Sequence, residues 1–305
     1  MSDSTHQREY GMGWAARAIG IAAALGLAAL GLAAVMVSKG RGADNAEPAR
    51  FAYGSMASQF GELWLPQTGG PAPVIVMVHG GCWQSSYELD LMHPLSEDLR
   101  AAGVAVWNIE YRRLGETGGG YPGTFADVGQ AVDTLRGLAT KYPLNLAKVV
   151  AVGHSAGGHL ALWAAARLRL PAGSAIAAKE PLRLAGVVTL AGINDLAAYA
   201  ANGPACGGAT TINRLIDAGD RPTGSAYADT SPRALLPLGV PQVIASGSRD
   251  GIVPAEFGRD YAVAAKAAGD KVEEITIPGA DHFALIEPGS SAWKTLRPKL
   301  LELLR

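Results

Sequence analysis

The chain has 305 residues, 49% of them apolar and 17% charged, enough to bury a large core as one α/β domain or two smaller ones without disulfide or metal staples. Its 26 Lys and Arg against 27 Asp and Glu leave a formal charge of −1, which offers no broad basic field to a nucleic acid. Cys82 and Cys206 are the only cysteines and form no C-x-x-C, and the 6 histidines form no cluster at metal-ligand spacing, so zinc and iron–sulfur chemistry are excluded and both thiols are expected to be free.

Residues 18–37 are uncharged and apolar, long enough as a helix to cover about 30 Å of hydrocarbon. Arg8 and Arg17 precede this run within a short tail (1–17), as in a secretory signal. The run exceeds the ~7–15 residues usual for a signal's apolar region, and Ser38-Lys39-Gly40-Arg41-Gly42 is a poor cleavage site. The expectation is an uncleaved transmembrane anchor with the catalytic domain outside the cytoplasm; the alternatives are a cleaved signal, giving an exported soluble protein, and an Ala-rich helix of a soluble one. Lys39, Arg41 and Arg50 on the far side blur the orientation that positive charge would set.

Residues 38–50 are small, polar and charged, as suits a flexible linker to a domain spanning 51–305. Residues 51–55 and 60–66 read as an opening hairpin, and 73–78 (PVIVMV) as a buried strand. A helix over 88–102, a strand over 104–110 and a helix over 124–142 come next. Residues 147–158 (AKVVAVGHSAGG) then run from a β-branched strand, through Gly153-His154-Ser155-Ala156-Gly157, into a helical pattern. This is the pattern of a nucleophile elbow: a serine at the tip of a sharp strand-to-helix turn has a strained backbone, and flanking glycines avoid collision with the neighbouring elements. The serine hydroxyl is thereby set beside a helix N-terminus, whose free N–H groups can hold a developing oxyanion.

A strand over 184–190 succeeds the elbow helix. Residues 192–232 lose the rhythm, with Gly203, Pro204, Gly207, Gly208, Pro222 and Gly224 breaking short helical pieces, and are expected to form a small lid over the strand ends. Regularity returns with a strand over 242–245, a helix over 254–268, a strand over 272–277 and a helix over 291–304. Alternating β and α elements predict a mostly parallel sheet with helices on both faces.

In an open parallel sheet the ligand sits outside the carboxyl ends of the strands, where His79-Gly80-Gly81-Cys82-Trp83, Ser155, Asp250 and His282 are all expected. The chain order Ser155, Asp250, His282 is that of an α/β-hydrolase triad. From residue 51 to the C-terminus the sequence resembles an α/β-hydrolase, and more closely its esterase and arylformamidase-like, BD-FAE-type branch. The matching segments are HGGCW (79–83), EYRRLGETGGGYPGTFADV (110–128), GHSAGGHLALW (153–163), SPRALLPLGVPQ (231–242), SRDGIVP (248–254) and DHFALIEP (281–288). The resemblance implies Ser155 as nucleophile, His282 as general base and then acid, and Asp250 as the group that orients and stabilises the imidazolium. It also implies an oxyanion hole from the Ala156 N–H and those of the Gly81-Cys82 segment, with Cys82 standing where the lipase-type motif has a third glycine.

Several neighbours compete for these roles. Asp281 adjoins His282, yet adjacent side chains in a loop rarely face each other, so Asp250 is the expected acid. His79 is read as structural, bonding the loop of the hole; His154 and His159 are read as packing or capping groups, with His154 also a pocket candidate. Trp83 either lines the substrate pocket or packs beneath it. Arg112 and Arg113 are expected to pair with carboxylates of the fold. Gly118-Gly119-Gly120 lacks the Lys-Ser/Thr of a phosphate loop and reads as a mobile loop, and Cys206 as a buried small hydrophobe within the lid.

The expected activity is cofactor-free hydrolysis of a small-molecule carboxylic ester through an acyl-enzyme. The alternative suggested by the resemblance is cleavage of the formamide of N-formylkynurenine. A membrane-anchored peptidase shares the chemistry, and a non-catalytic binding module is disfavoured because serine, aspartate and histidine are all retained. No feature of the sequence sets an oligomeric state.

Overall fold

Runs of Val, Ile and Ala flanked by Gly and Pro build the centre of the molecule. The computed structural model describes residues 47–305 apart from Thr68 and Pro222, so the anchor expected at 18–37 lies outside the described residues. Among the described residues no helix is long and apolar enough to cross a membrane.

The strands are Ala49–Ala52 (β1), Phe60–Trp64 (β2), Ala72–Val78 (β3), Ala105–Ile109 (β4), Leu144–His154 (β5), Gly186–Leu190 (β6), Gln242–Gly247 (β7) and Val272–Ile277 (β8). They form one sheet in the order β1-β2-β4-β3-β5-β6-β7-β8. The expected hairpin is present, with β1 antiparallel to β2 and β2 antiparallel to β4, and every pairing from β4 to β8 is parallel. Gly61 of β2 lies across from Ile109, and a Cβ there would come within 2.6 Å of the Trp107 indole, so only glycine lets that ring cross beneath the edge of the sheet.

Side chains of a strand alternate between faces, and β3 and β5 divide accordingly between two cores. Val74, Val76, Val78, Val149 and Ala151 join one cluster; Ile75, Met77, Val150 and Val152 join the other. The first is covered by Gly123–Leu138 (α2), Ala156–Ala165 (α3) and Ala255–Ala267 (α7), through residues such as Phe125, Val128, Leu160, Trp163 and Tyr261. The second is covered by His93–Ala101 (α1) and Ser291–Glu302 (α8), through Leu95, Leu99, Trp293, Leu296 and Leu300. Each Val or Leu so enclosed contributes roughly 1.5–3 kcal/mol. Burial on both faces is why these strands are apolar without interruption.

Several boundaries differ from the sequence reading, and α2 ends at Leu138 rather than 142. The helix expected over 88–102 opens as a 3₁₀ turn (Leu89–Met92), and α1 begins only at His93, with Pro94 in its first turn, where a missing N–H breaks no helical hydrogen bond. The segment 192–232 contains three short helices, Leu196–Asn202 (α4), Gly208–Leu215 (α5) and Thr223–Thr230 (α6), and the side chains of Leu196, Tyr199, Ile212, Leu215 and Ala226 are part of the first core.

Arg112 and Arg113 pair within the fold, as their neighbouring carboxylates allow. The Arg112 guanidinium donates to both oxygens of Asp127 on α2, at 2.7 and 2.6 Å, and Gln59 Nε2 donates to the same carboxylate at 2.6 Å. This joins the loop after β4 to α2 and to the entrance of β2. Asp127 is fully buried, so Asp127→Ala strands a guanidinium that is mostly enclosed; a loss of about 3 kcal/mol is expected in chemical denaturation, at the low end of the range for a broken buried pair because Arg112 keeps some contact with water. A change under about 1 kcal/mol would show that the pair carries little of the fold.

Candidate active site

At the end of β5 the chain must reverse into α3 within one residue, and Ser155 makes that turn with φ 54° and ψ −120°. A left-handed φ costs a residue with a Cβ roughly 1–2 kcal/mol, and tight packing on both sides sustains it. A Cβ on Gly153 would lie 2.0 Å from the Gly157 carbonyl oxygen, and one on Gly157 would lie 2.2 Å from that of Val78. On Gly158 it would meet the Gly192 Cα at 2.7 Å. Helix α3 therefore presses against the ends of β3 and β6 as closely as backbone allows. Ser155 N donates to Leu190 O at 2.9 Å and Ile193 N donates to Ser155 O at 3.2 Å, clamping the elbow to the end of β6. Ala156 opens α3, so its N–H belongs to the unpaired first turn.

His282 lies in the loop after β8, and its Nδ1 is 2.7 Å from Asp250 Oδ2 after β7. The other oxygen, Asp250 Oδ1, accepts the N–H groups of Ile252 and Val253, each at 2.8 Å, which fixes the carboxylate plane. Asp281 faces elsewhere: its Oδ1 accepts from Phe283 N at 3.1 Å and Ala284 N at 2.9 Å, capping the next turn of the chain. The geometry thus brings Asp250, and not Asp281, to the histidine.

The loop bearing His282 is held to the elbow by His154. Their rings are 4.5 Å apart, and His154 Nε2 lies 3.1 Å from the His282 carbonyl oxygen. Burial, with a contribution from the neighbouring His282, pushes the His154 pKa down to about 3, so the ring is neutral and its Nε2–H donates to that carbonyl. The side chain next to Ser155 in sequence therefore anchors the segment carrying the candidate base.

On the other side of Ser155, a Cβ on Gly80 would come within 3.1 Å of the Ser155 Cβ, so the loop leaving β3 lies against Ser155. Gly81, Cys82 and Trp83 continue it with φ of 105°, 53° and 57°. Among the described residues the N–H groups of Gly81 and Cys82 take no backbone acceptor. His79 supports this loop structurally: Nδ1 is 2.8 Å from Gly80 O, Nε2 is 2.8 Å from Glu110 Oε1, and the ring stacks on Tyr111.

Three expectations are corrected here. Cys82 and Cys206 are not free thiols but form a disulfide, their Cα atoms 5.2 Å apart across 124 residues of chain, and Cys206 is half-buried rather than enclosed. Trp83 and His154, held as pocket candidates, are 0% and 1% exposed and pack instead, the Trp83 indole N–H donating to His159 Nδ1 at 3.2 Å. Gly118-Gly119-Gly120 forms a packed turn, in which a Cβ on Gly119 would lie 1.8 Å from Arg113 O and the next residue, Tyr121, bonds to Leu215 of α5 through its N–H. The one sequence signal that could have pointed to the disulfide was an even cysteine count beside an export-type N-terminus.

The BD-FAE family model matches residues 62–262. Esterase LipC of Mycobacterium tuberculosis (strain ATCC 25618 / H37Rv) is 25% identical over 260 residues, 78% of this chain; the chain spans 60% of the length of that relative. Among solved structures, the thermophilic esterase Est2 of the planctomycete Thermogutta terrifontis superposes with TM-score 0.67 at 23% identity, covering 85% of this chain and 91% of that one. Est2 has also been solved phosphonylated by sarin. The acetyl ester-xyloside bifunctional hydrolase of Caldicellulosiruptor lactoaceticus gives 0.66 at 18% identity, over 84% of this chain and 94% of that one. At these identities the structures speak for the fold.

Burial also lowers the pKa of His159, to about 4, with Nε2 2.8 Å from Thr230 O. Unfolded, His154 and His159 would both take up protons near 6.5, whereas folded they do so only near 3 and 4. Between those values the unfolded chain binds more protons, so stability is full above pH 6.5 and falls as pH drops through this window. Thermal unfolding should therefore show a midpoint that declines below pH 6.5, and His154→Gln should flatten part of that slope. An unchanged slope would mean that His154 takes up its proton at the same pH in the folded and the unfolded protein.

Proposed function

The chain belongs to the BD-FAE family within the α/β-hydrolases, and from that premise we propose that it is a serine hydrolase of carboxylic esters. The observation that carries the reading is the His282–Asp250 hydrogen bond of 2.7 Å, on a loop that His154 ties to the strained elbow of Ser155. His282 Nε2 removes the Ser155 proton as Oγ attacks the ester carbonyl, and the tetrahedral oxyanion is held by the N–H groups of Gly81, Cys82 and Ala156. Collapse transfers that proton from His282 to the departing alkoxide and leaves an acyl-serine. Water, deprotonated by His282, then attacks the acyl carbon and releases the acid. Asp250 stays ionised throughout and stabilises the imidazolium.

Ester chemistry is favoured over formamide cleavage by the relatives, which are named as esterases or ester hydrolases. Ser155→Ala should lower hydrolysis of short-chain nitrophenyl esters by about 10⁶ with circular dichroism unchanged. A fluorophosphonate probe should label the wild type and not this variant. N-formylkynurenine, assayed beside the esters, should turn over far more slowly; preference for it would reassign the enzyme as a formamidase. Retention of several per cent activity in Ser155→Ala would remove the serine mechanism altogether.

Asp250→Asn should cost roughly 10⁴ in kcat, because an amide favours the wrong His282 tautomer. Asp281→Asn should leave both kcat and stability near wild type, because an asparagine oxygen caps the turn about as well as an aspartate's. The reverse ranking would exchange their roles.

For location, the proposal is a domain outside the cytoplasm, tethered by residues 18–37. The Cys82–Cys206 disulfide supports this, since such bonds persist in oxidising compartments. The full-length protein should sediment with membranes and resist high-salt extraction, because apolar burial is not screened by ions. Recovery of a soluble form starting near residue 40 would instead identify a cleaved signal.

A further inference from the structure

Cys82 is anchored differently from its neighbours. Trp83 is fixed by its buried indole and by its carbonyl, which accepts Leu114 N at 2.8 Å; Gly81 O accepts Gln84 N at 2.9 Å. Among the described residues neither the N–H nor the C=O of Cys82 enters a backbone hydrogen bond, and its side-chain tie is the disulfide to Cys206. Yet Cys82 has φ 53° and is followed by Trp83 at 57°, two successive non-glycine residues in a conformation their Cβ atoms disfavour. A residue so placed relaxes toward negative φ when released, and rotation about N–Cα and its neighbours re-aims the adjoining peptide N–H groups.

The far end of the tie is firmly seated. Cys206 lies between α4 and α5, with φ 55°, followed by Gly207 at 74° and Gly208 at 51°. From α4, the Tyr199 hydroxyl donates to Ile252 O at 2.8 Å, in the same loop whose N–H groups hold Asp250. From α5, Ile212 and Leu215 are buried in the core, and Leu215 O accepts Tyr121 N at 2.8 Å. After α6, Thr230 O faces His159, which in turn accepts the Trp83 indole N–H. Residues 192–232 thus form a cap fastened to the acid loop, the elbow helix and the loop beside the nucleophile, and Cys206 is its covalent contact with the last of these.

We infer that Cys206 is a positioning residue for the oxyanion hole: through the disulfide the seated cap holds the Cys82 backbone with its N–H toward the reacting carbonyl, so that reduction of this bond lowers kcat while the fold and substrate binding persist. The inference rests on the reading of Ser155 as the nucleophile and Cys82 N–H as an oxyanion donor. Reduction by a dithiol breaks the S–S bond, adds two electrons and two protons to give two thiols, and oxidises the dithiol to its cyclic disulfide. Both half-cystines are only half-buried, which gives the reductant access. Neither half-cystine is a buried member of either core, Cys206 being packed against the rim of the first.

The test begins with the oxidised full-length protein in detergent, assayed for nitrophenyl ester hydrolysis and fluorophosphonate labelling at Ser155. Failure of both at this stage, before any reductant is added, would overturn the serine-esterase reading itself and so stands apart from a failure of the disulfide's role. Dithiothreitol is then titrated in while free thiols are counted. As two thiols appear, kcat should fall by about 10²–10³, the usual cost of one lost oxyanion donor, with KM changed less than about threefold and circular dichroism unchanged. Reoxidation should restore kcat. Cys206→Ser should show the same low kcat without reductant and no response to it, although Cys206 touches no substrate. If two thiols appear and kcat holds, or if Cys206→Ser matches the oxidised wild type in kcat, the inference is wrong. If KM rises with kcat unchanged, the bond shapes the pocket instead and the inference is equally overturned. Should Cys206→Ser fail to fold, the dithiol titration of the folded wild type decides; should the bond resist the dithiol, the variant decides.

Discussion

The absence of three Cβ atoms governs this site. Gly153, Gly157 and Gly158 let helix α3 lie in backbone contact with the ends of β3 and β6, and a Cβ at any of these positions would come within 2.7 Å of a carbonyl oxygen or a Cα. That approach holds Ser155 in its left-handed turn, and the loop after β3 lies against Ser155 as well. The β3 and β5 strands supply the stiffness, since their alternating side chains are buried in two separate cores. Stability thus comes from apolar burial on both faces of the sheet, and the strain at the elbow is sustained by it.

Electrostatic order at the site depends on which histidines are kept neutral. His154 and His159 are enclosed, and burial suppresses their protonation, so each serves as a hydrogen-bonding strut with a defined tautomer: His154 to the His282 carbonyl, His159 between Trp83 and Thr230. His282 alone among these three has a carboxylate partner, Asp250, whose second oxygen is occupied by two backbone N–H groups. An imidazolium formed during turnover would be compensated there and nowhere else along this row of rings. Division of labour between similar side chains comes from burial and partners.

The segment 192–232 has the composition of a loose lid, rich in Gly and Pro, yet its helices are tied at several points to the structure beneath it. Its apolar positions, such as Tyr199, Ile212 and Leu215, are continuous with the main core. A cap of this kind adds a further link between two loops and a helix that also touch one another directly. The acid loop, the loop after β3 and the elbow helix each meet it through a different bond type: a tyrosine hydroxyl, a disulfide and a histidine relay.

By itself the sequence determined the elements and their chemistry. Continuous β-branched runs marked strands buried on two faces, a period-breaking Gly-His-Ser-Ala-Gly marked the elbow, and the chain order of Ser155, Asp250 and His282 matched strand ends of a parallel sheet. These signals are local, because period, turn residues and glycine spacing act over a few residues. What lay beyond its reach was set by contacts between distant segments. The burial of Trp83 and His154 depended on what packed over them, and the seating of the glycine turn at 118–120 on α5. The cysteines show the reason most plainly: each reads alone as a small apolar residue, and only folding brings their Cα atoms to 5.2 Å across 124 residues, since no local pattern encodes a pair that the sheet and its cap place side by side.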